Sequence, residues 1–279
     1  MKVIPGFLFL FLHACSPNNV TVENALGKHF TNNNVAGCFA LFNNNNGNFT
    51  VYNLDRYRDS AYLPASTFKI VNSLIGLQTG IITNDSMIIK WDGVTRALPQ
   101  WNKDLSMYEA FRVSSVPYYQ EVARRIGKER MQYWLDSLAY GTFSYARASE
   151  HKQKITSAID TFWLDNSLKI TADEQLGLVK KLYFNQLPFF KEYQQTVKTA
   201  MLFEDKPEYK LSYKTGGKFW DSTSKKHLGW VVGFIEENKH PYFFVLNIES
   251  GDENFDMPTV RMKMLKGILG ELGFFKGIK

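Results

Sequence analysis

Strand-forming segments lie towards both ends of this chain, and the stretch between them is helical in pattern. Val35 to Asn43 and Asn48 to Asn53 are rich in β-formers. They flank Asn43-Asn44-Asn45-Asn46-Gly47, where Asn and Gly accept positive φ at little cost, so the region predicts a β-hairpin. Tyr209 to Phe219, Leu228 to Glu237 and Tyr242 to Ser250 are β-branched and aromatic, with Asn238-Lys239-His240-Pro241 as the turn between the last two. From Leu105 to Tyr193 the pattern is mostly helical. Tyr118 to Ile126, Lys128 to Leu138 and Ala172 to Phe184 are each bounded by Gly, Pro or a capping Ser, Thr or Asp. Val260 to Leu272 adds an amphipathic helix. This order cannot build an alternating βαβ fold. It predicts an α+β domain: an antiparallel sheet built from both chain ends, flanked by helices, with a mostly helical middle subregion. No repeat of roughly 20 to 50 residues and no linker interrupts it, so one domain is expected.

A chain of 279 residues that is 44% hydrophobic and 22% charged can bury a full core, which argues against disorder. Lys and Arg total 33 against 27 Asp and Glu, and the net charge of +6 is scattered, too weak a surplus to point to nucleic acid. Two cysteines, Cys15 and Cys38, cannot build a disulfide framework. Five histidines (His13, His29, His151, His227, His240) include no pair at i, i+3 or i, i+4, which argues against a Cys/His metal site.

Lys2 precedes an apolar run from Ile4 to Leu12 that stops at His13. Roughly ten residues are too few to cross a bilayer, which needs about 20, so residues 1–14 read as a secretion signal rather than a first strand. Leu12-His13-Ala14-Cys15 is also similar to a lipoprotein signal, with Cys15 as the mature N-terminus, although His13 replaces the usual small apolar residue. An exported, periplasmic protein is expected, its only membrane attachment a lipid anchor at Cys15. Residues 15–279 would form the domain, and Cys38 would have no intramolecular partner.

From Pro64 the chain changes character. Phe68, Ile70, Val71, Leu74, Ile75 and Leu77 place apolar groups on nearly every side of a helix, which should therefore be buried. Ser66-Thr67-Phe68-Lys69 opens it. Residues at i and i+3 share a helix face, so the hydroxyl and amine can meet, and a neutral lysine could take the serine proton. A serine at a helix N-terminus also sits beside unpaired N–H groups able to hold an oxyanion. The bland reading is a capping serine with a solvated lysine. The same spacing recurs at Ser149 to Lys152 and Ser222 to Lys225, both in polar surroundings. Ser114-Ser115-Val116 precedes a helix and could be a plain N-cap, while Lys214-Thr215-Gly216 lies in a predicted strand, followed by Gly217.

Ser-x-x-Lys, Ser-x-Val and Lys-Thr-Gly in this order form the motif set of the penicillin-recognising serine enzymes. The chain resembles a class D serine β-lactamase over nearly all of its mature length. The match includes Pro64 to Lys69, Trp91-Asp92-Gly93, Phe162-Trp163-Leu164 with Leu168-Lys169-Ile170, Tyr213 to Gly216, Gly229 to Gly233, and Arg261 ahead of Gly273. The resemblance implies that Ser66 attacks the lactam carbonyl and that Lys69, carbamylated by CO2, is the general base. Phe68, Val116, Trp163 and Leu164 would form its apolar pocket, with the Trp163 indole N–H bonding the carbamate. It further implies that Ser114 relays a proton beside a positively charged Lys214, that Thr215 and Arg261 hold the substrate carboxylate, and that the N–H groups of Ser66 and Gly217 form the oxyanion hole. No metal or nucleic acid is implied. The family's Tyr-Gly-Asn is Tyr140-Gly141-Thr142 here, which puts the loop behind the pocket in doubt. Tyr183-Phe184-Asn185 matches the class C Tyr-x-Asn but falls at a helix end and reads as structure. A non-hydrolytic β-lactam sensor and a D,D-peptidase remain alternatives, whereas an esterase of the α/β-hydrolase type lacks its Gly-x-Ser-x-Gly.

Overall fold

The computed structural model describes residues 19–141 and 153–279; the expected signal segment, Cys15, Thr142 and the Ser149 to Lys152 spacing lie outside them. The N-terminal part contributes β1 (Val20–Val22), α1 (Gly27–Thr31), β2 (Ala36–Asn43), β3 (Asn48–Tyr52), α2 (Leu54–Asp59) and β4 (Ala61–Tyr62). The middle holds α3 (Lys69–Gln78), β5 (Ile88–Ile89), β6 (Leu105–Ser106), α4 (Met107–Arg112), α5 (Val116–Ile126), α6 (Lys128–Leu138), β7 (Ile170–Thr171), α7 (Ala172–Tyr183) and α8 (Lys191–Met201). The chain then returns through β8 (Leu202–Asp205), β9 (Lys210–Asp221), β10 (Lys226–Glu237), β11 (His240–Ser250) and α9 (Met257–Glu271). None of the described helices is long and apolar enough to cross a membrane.

Among the described residues, seven strands form the main sheet in the order β1-β3-β2-β11-β10-β9-β8, with β2 and β11 joining the two ends of the chain at its centre. At the centre of the sheet both faces are buried, so β2, β10 and β11 are largely apolar along their length and period two sorts their side chains. Cys38, Ala40 and Phe42 of β2, Trp230 and Val232 of β10 and Val245 of β11 face the helical subregion. Phe39, Leu41, Val231, Phe244 and Leu246 face α1 and α9. Between Leu63 and Phe111, α3 is buried on all sides, as its apolar pattern predicts.

Three details differ from the expected layout. β1 pairs parallel to β3, giving the antiparallel sheet one parallel edge. The helical region runs on to Met201 through α8. The last hairpin turns on Asn238 and Lys239 alone, both with positive φ (49° and 67°), a two-residue geometry that matches strand twist. His240 and Pro241 therefore join β11, opposite Glu237 and Glu236.

β9 and β10 approach closely at Gly233, where an added Cβ would lie 2.1 Å from the Ser212 carbonyl oxygen and 2.7 Å from Tyr213 Cα. Both atoms are backbone and cannot swing aside. Gly233→Ala should therefore lower stability by about 1–3 kcal/mol, read as a lower urea midpoint with an unchanged slope.

Candidate active site

The site begins with a tight turn. Ala65–Phe68 form one turn of 3-10 helix that continues into α3, so the expected helix opens more tightly than an α-helix. Side chains three apart eclipse in such a turn, and Lys69 Nζ lies 2.7 Å from Ser66 Oγ. Surrounding bonds hold the turn in place. Ala65, at φ +49°, donates its N–H to the Trp163 carbonyl at 3.1 Å. Thr67 Oγ1 donates to Pro64 O at 2.7 Å and accepts from Gln175 Nε2 at 2.7 Å, and Trp230 Nε1 donates to Leu63 O at 3.0 Å.

Lys69 is fully buried, and burial pulls its amine down to about 7. Being the first residue of α3, it also sits at the positive end of the helix dipole, which disfavours an ammonium. Phe68 stacks on Trp163 with centroids 5.4 Å apart and an interplanar angle of 23°, and Phe162 packs edge-on against both. Leu164 packs on the same core, and Val116, half-buried, starts α5. Trp163 Nε1 is buried and has no hydrogen-bond partner among the described residues.

Sequence reasoning missed Tyr119, whose ring centroid lies 5.6 Å from Lys69 Nζ. Its hydroxyl is bonded to Ser73 Oγ at 2.7 Å and its carbonyl accepts from Asn72 Nδ2 at 3.2 Å. Lys69, Asn72 and Ser73 are i, i+3 and i+4 on α3 and so turn one face to this tyrosine. Its i+3 relation to Val116 was the available signal.

Ser114 and Ser115 divide their tasks. Ser115 Oγ caps α5 by accepting from Tyr118 N at 3.4 Å, whereas Ser114, at φ +55° between α4 and α5, accepts from Lys214 Nζ at 3.0 Å. The Lys214 amine also donates to Thr215 O at 3.1 Å and lies 5.4 Å from the Phe111 ring centroid. Burial first, then the cations of Lys69, Arg261 and Arg112, push it well below the lysine range. The positive charge expected of Lys214 is therefore carried by an amine whose burial and neighbouring cations work against it. β8 pairs with β9 only as far as Ser212, so from Tyr213 onwards no described strand covers the outer edge of β9.

Gly216 lets that strand reach the serine turn: an added Cβ would stand 2.9 Å from Pro64 O and 3.0 Å from Thr67 N. Arg261, on α9, donates from Nη1 to Gly216 O at 2.6 Å, and the same nitrogen lies 3.1 Å from where a Gly217 Cβ would be. Burial lowers its guanidinium to about 10, and its buried Nε has no partner among the described residues. Arg261 is thus embedded at the site, and Thr215 is half-buried beside it. Next to Ser115, a groove of about 350 Å³ is walled by Trp91, Trp101, Pro117 and Tyr118, with Trp101 Nε1 donating to Val113 O at 3.0 Å. The structure therefore brings Ser66, Lys69, Ser114, Lys214, Gly217 and Arg261 to the seam between the sheet and the helical subregion. Ser222 and Lys225 lie instead in the exposed β9–β10 turn, and Tyr183 Oη donates to Glu236 Oε1 at 2.7 Å in a structural role.

Similarity to known proteins agrees with this arrangement. The profile of the penicillin-binding protein transpeptidase domain matches residues 28–269. β-Lactamase OXA-5 of Pseudomonas aeruginosa is 38% identical over 256 residues, 91% of this chain and 92% of that protein. A class D β-lactamase structure, YbXI from Nostoc, superposes with a TM-score of 0.79 at 37% identity, covering 89% of this chain and 98% of that one. The C-terminal domain of the Bacillus licheniformis BlaR penicillin-receptor superposes with a TM-score of 0.82 at 30% identity, covering 93% and 98%. At this identity and coverage, with the serine–lysine pair and the Lys-Thr-Gly strand in one cleft, the chain belongs to the class D β-lactamase family.

Proposed function

We propose that the protein hydrolyses β-lactam amides through an acyl-enzyme on Ser66, with carbamylated Lys69 as general base. The observation that carries this reading is a buried, readily neutral amine 2.7 Å from Ser66 Oγ; Trp163, stacked on the adjoining Phe68, has a buried indole N–H without a partner among the described residues. Only a neutral amine adds CO2: its nitrogen lone pair forms the C–N bond and a proton leaves. The apolar walls and the free Trp163 N–H suit the resulting carbamate. In that state Lys69 supplies an anionic acceptor, first for the Ser66 proton in acylation and then for the proton of the water that deacylates.

Ser66 Oγ attacks the lactam carbonyl, and the N–H groups of Ser66 and Gly217 hold the oxyanion; one such donor is typically worth about 2.7–4 kcal/mol of barrier. The C–N bond of the ring then breaks, and Ser114 relays to the leaving nitrogen the proton that the carbamate took from Ser66, which frees the carbamate to accept the water proton in deacylation. Lys214, bonded to Ser114, supplies positive charge nearby, and Thr215 and Arg261 bind the substrate carboxylate. No metal takes part. Segment 1–14 exports the chain to the periplasm, where Cys15, as the mature N-terminus, carries a lipid anchor.

A receptor that keeps the acyl group is the second reading, favoured by the superposition on the BlaR domain. Purified protein should open a chromogenic cephalosporin, and its penicilloyl adduct should disappear from the mass spectrum; an adduct that persists for hours would establish the receptor instead. Release of D-alanine from cell-wall peptides without β-lactam turnover would establish a D,D-peptidase.

The rate should fall as pH drops through about 7, where the carbamate releases CO2 and the freed Lys69 amine is trapped by protonation, and bicarbonate should restore it at neutral pH. Lys69→Met should reduce turnover by about a thousandfold or more. It should also stabilise the protein in CO2-free buffer. The unfolded amine holds its proton up to about 10.5, whereas the folded one holds it only to about 7. The unfolded state therefore binds more protons between these values, and wild-type stability rises across that window. The gain from Lys69→Met should be largest near pH 7 and shrink towards pH 10.5, as urea midpoints would show. Mass analysis of the mature protein from membranes should find a diacylglyceryl group on Cys15; an unmodified soluble chain would remove the anchor from this account.

A further inference from the structure

The β9–β10 hairpin continues outward from Gly217, and its pairing is irregular. Leu228 lies opposite Lys218 and Lys226 opposite Asp221, so Phe219 and Trp220 together face the single residue His227. Such a bulge takes a backbone N–H out of the ladder. Here Trp220 N donates to His227 Nδ1 at 3.1 Å. Because Nδ1 accepts, the ring proton resides on Nε2, which donates to the Glu253 carbonyl at 3.0 Å. The imidazole is 5% exposed and packs against Trp220 and Phe255. Glu253 lies in the loop that leads through the Asp256 cap into α9 and Arg261. One neutral ring thus fastens the outer end of the Thr215–Gly217 strand to the segment that delivers Arg261.

We propose that His227 is a positioning residue that sets which substrates fit. As a neutral imidazole it holds Phe219 and Trp220 in place beyond Gly217, and a proton on Nδ1 releases them by removing the acceptor of the Trp220 N–H. The substrate part rests on the β-lactam reading; the hydrogen-bond part does not. Phe219, two residues beyond Gly217, is 55% exposed and free to meet a substrate side chain. The charged groups around the ring are engaged with one another. Lys218 pairs with Asp221 on β9, Glu249 on β11 lies 2.8 Å from Arg56 and 3.9 Å from Lys226, and Asp256 caps α9. Asp252 and Glu253 are exposed on the following loop, and among the described residues no carboxylate forms an ion pair with the ring.

Amide exchange followed by NMR on the full protein tests the clasp without using activity. Protection of the Trp220 amide, corrected for intrinsic rate, should fall about fivefold or more between pH 7.5 and 5.5, the worth of one hydrogen bond. His227→Asn keeps an acceptor near the Nδ1 position but cannot titrate, so its protection should stay level with pH; His227→Phe should be poorly protected throughout. On the substrate side, wild-type KM for a penicillin with a bulky side chain should rise several-fold at pH 5.5 relative to His227→Asn, with kcat matching between the two. A penicillin with a compact side chain should not separate them. Equal Trp220 protection at both pH values in the wild type would overturn the proposal, and so would equal protection in wild type and His227→Phe at pH 7.5. If the protein turned over no β-lactam, the exchange data would still decide the role of the imidazole, and only the substrate part would fall with the catalytic reading.

Discussion

An amine taken out of water with no carboxylate beside it cannot hold its proton as a lysine on a surface does, and much of this site follows from that one desolvation. Lys69 is fully buried, with the Tyr119 ring centroid 5.6 Å from its amine and a hydrogen bond to the Ser66 hydroxyl. Placing it at the start of α3 adds the unfavourable end of a helix dipole. An apolar residue there would suit the core better. The fold instead spends stability on a group whose lone pair is available near neutral pH, the condition for CO2 addition and for general-base chemistry.

The same seam carries further strain. Ala65 and Ser114 are both non-glycine residues at positive φ, a conformation that costs on the order of 1–3 kcal/mol each. Ala65 is held by its bond to Trp163 O, and Ser114 stands between two helices, the second capped by Ser115. These constraints hold the Ser66 turn against β9 at Gly216 and set Ser114 against Lys214. Because β8 stops pairing at Ser212, no described strand covers the outer edge of β9 where Lys214, Thr215 and Gly217 lie, and the Thr215 and Gly216 carbonyls accept from Lys214 and Arg261. Arg261 and Lys214 differ in charge: the Arg261 guanidinium, lowered to about 10 by burial, stays charged at neutral pH, whereas burial and neighbouring cations work against charge on Lys214.

Much of this was legible in the order of residues. The apolar run after Pro64 predicted a fully buried helix, and the i, i+3 spacing of Ser66 and Lys69 predicted their contact, because both depend on local geometry. The hairpins were legible from Asn-Gly chemistry, although the last turn is tighter than its four polar residues suggested, since Asn238 and Lys239 alone supply the required positive φ. Tyr119 was not legible as a lining group, because an aromatic three residues into a helix looks the same whether it meets a core or a catalytic amine. Nor was His227, whose role appears only where two residues of β9 bulge against it.

The sequence by itself determined the strand–helix–strand order, the identity of the reactive groups and the family to which their spacing belongs. These are set within a few residues of each other or by the succession of patterns along the chain. Only the tertiary structure decided the surroundings of those groups: which serine caps α5 and which bonds Lys214, that burial pulls the Lys69 and Lys214 amines down, and that Trp163 Nε1 has no partner among the described residues. Charge state depends on desolvation and on cations brought in from residues such as Arg112 and Arg261, distant along the chain, and a local pattern cannot encode distances that packing alone creates.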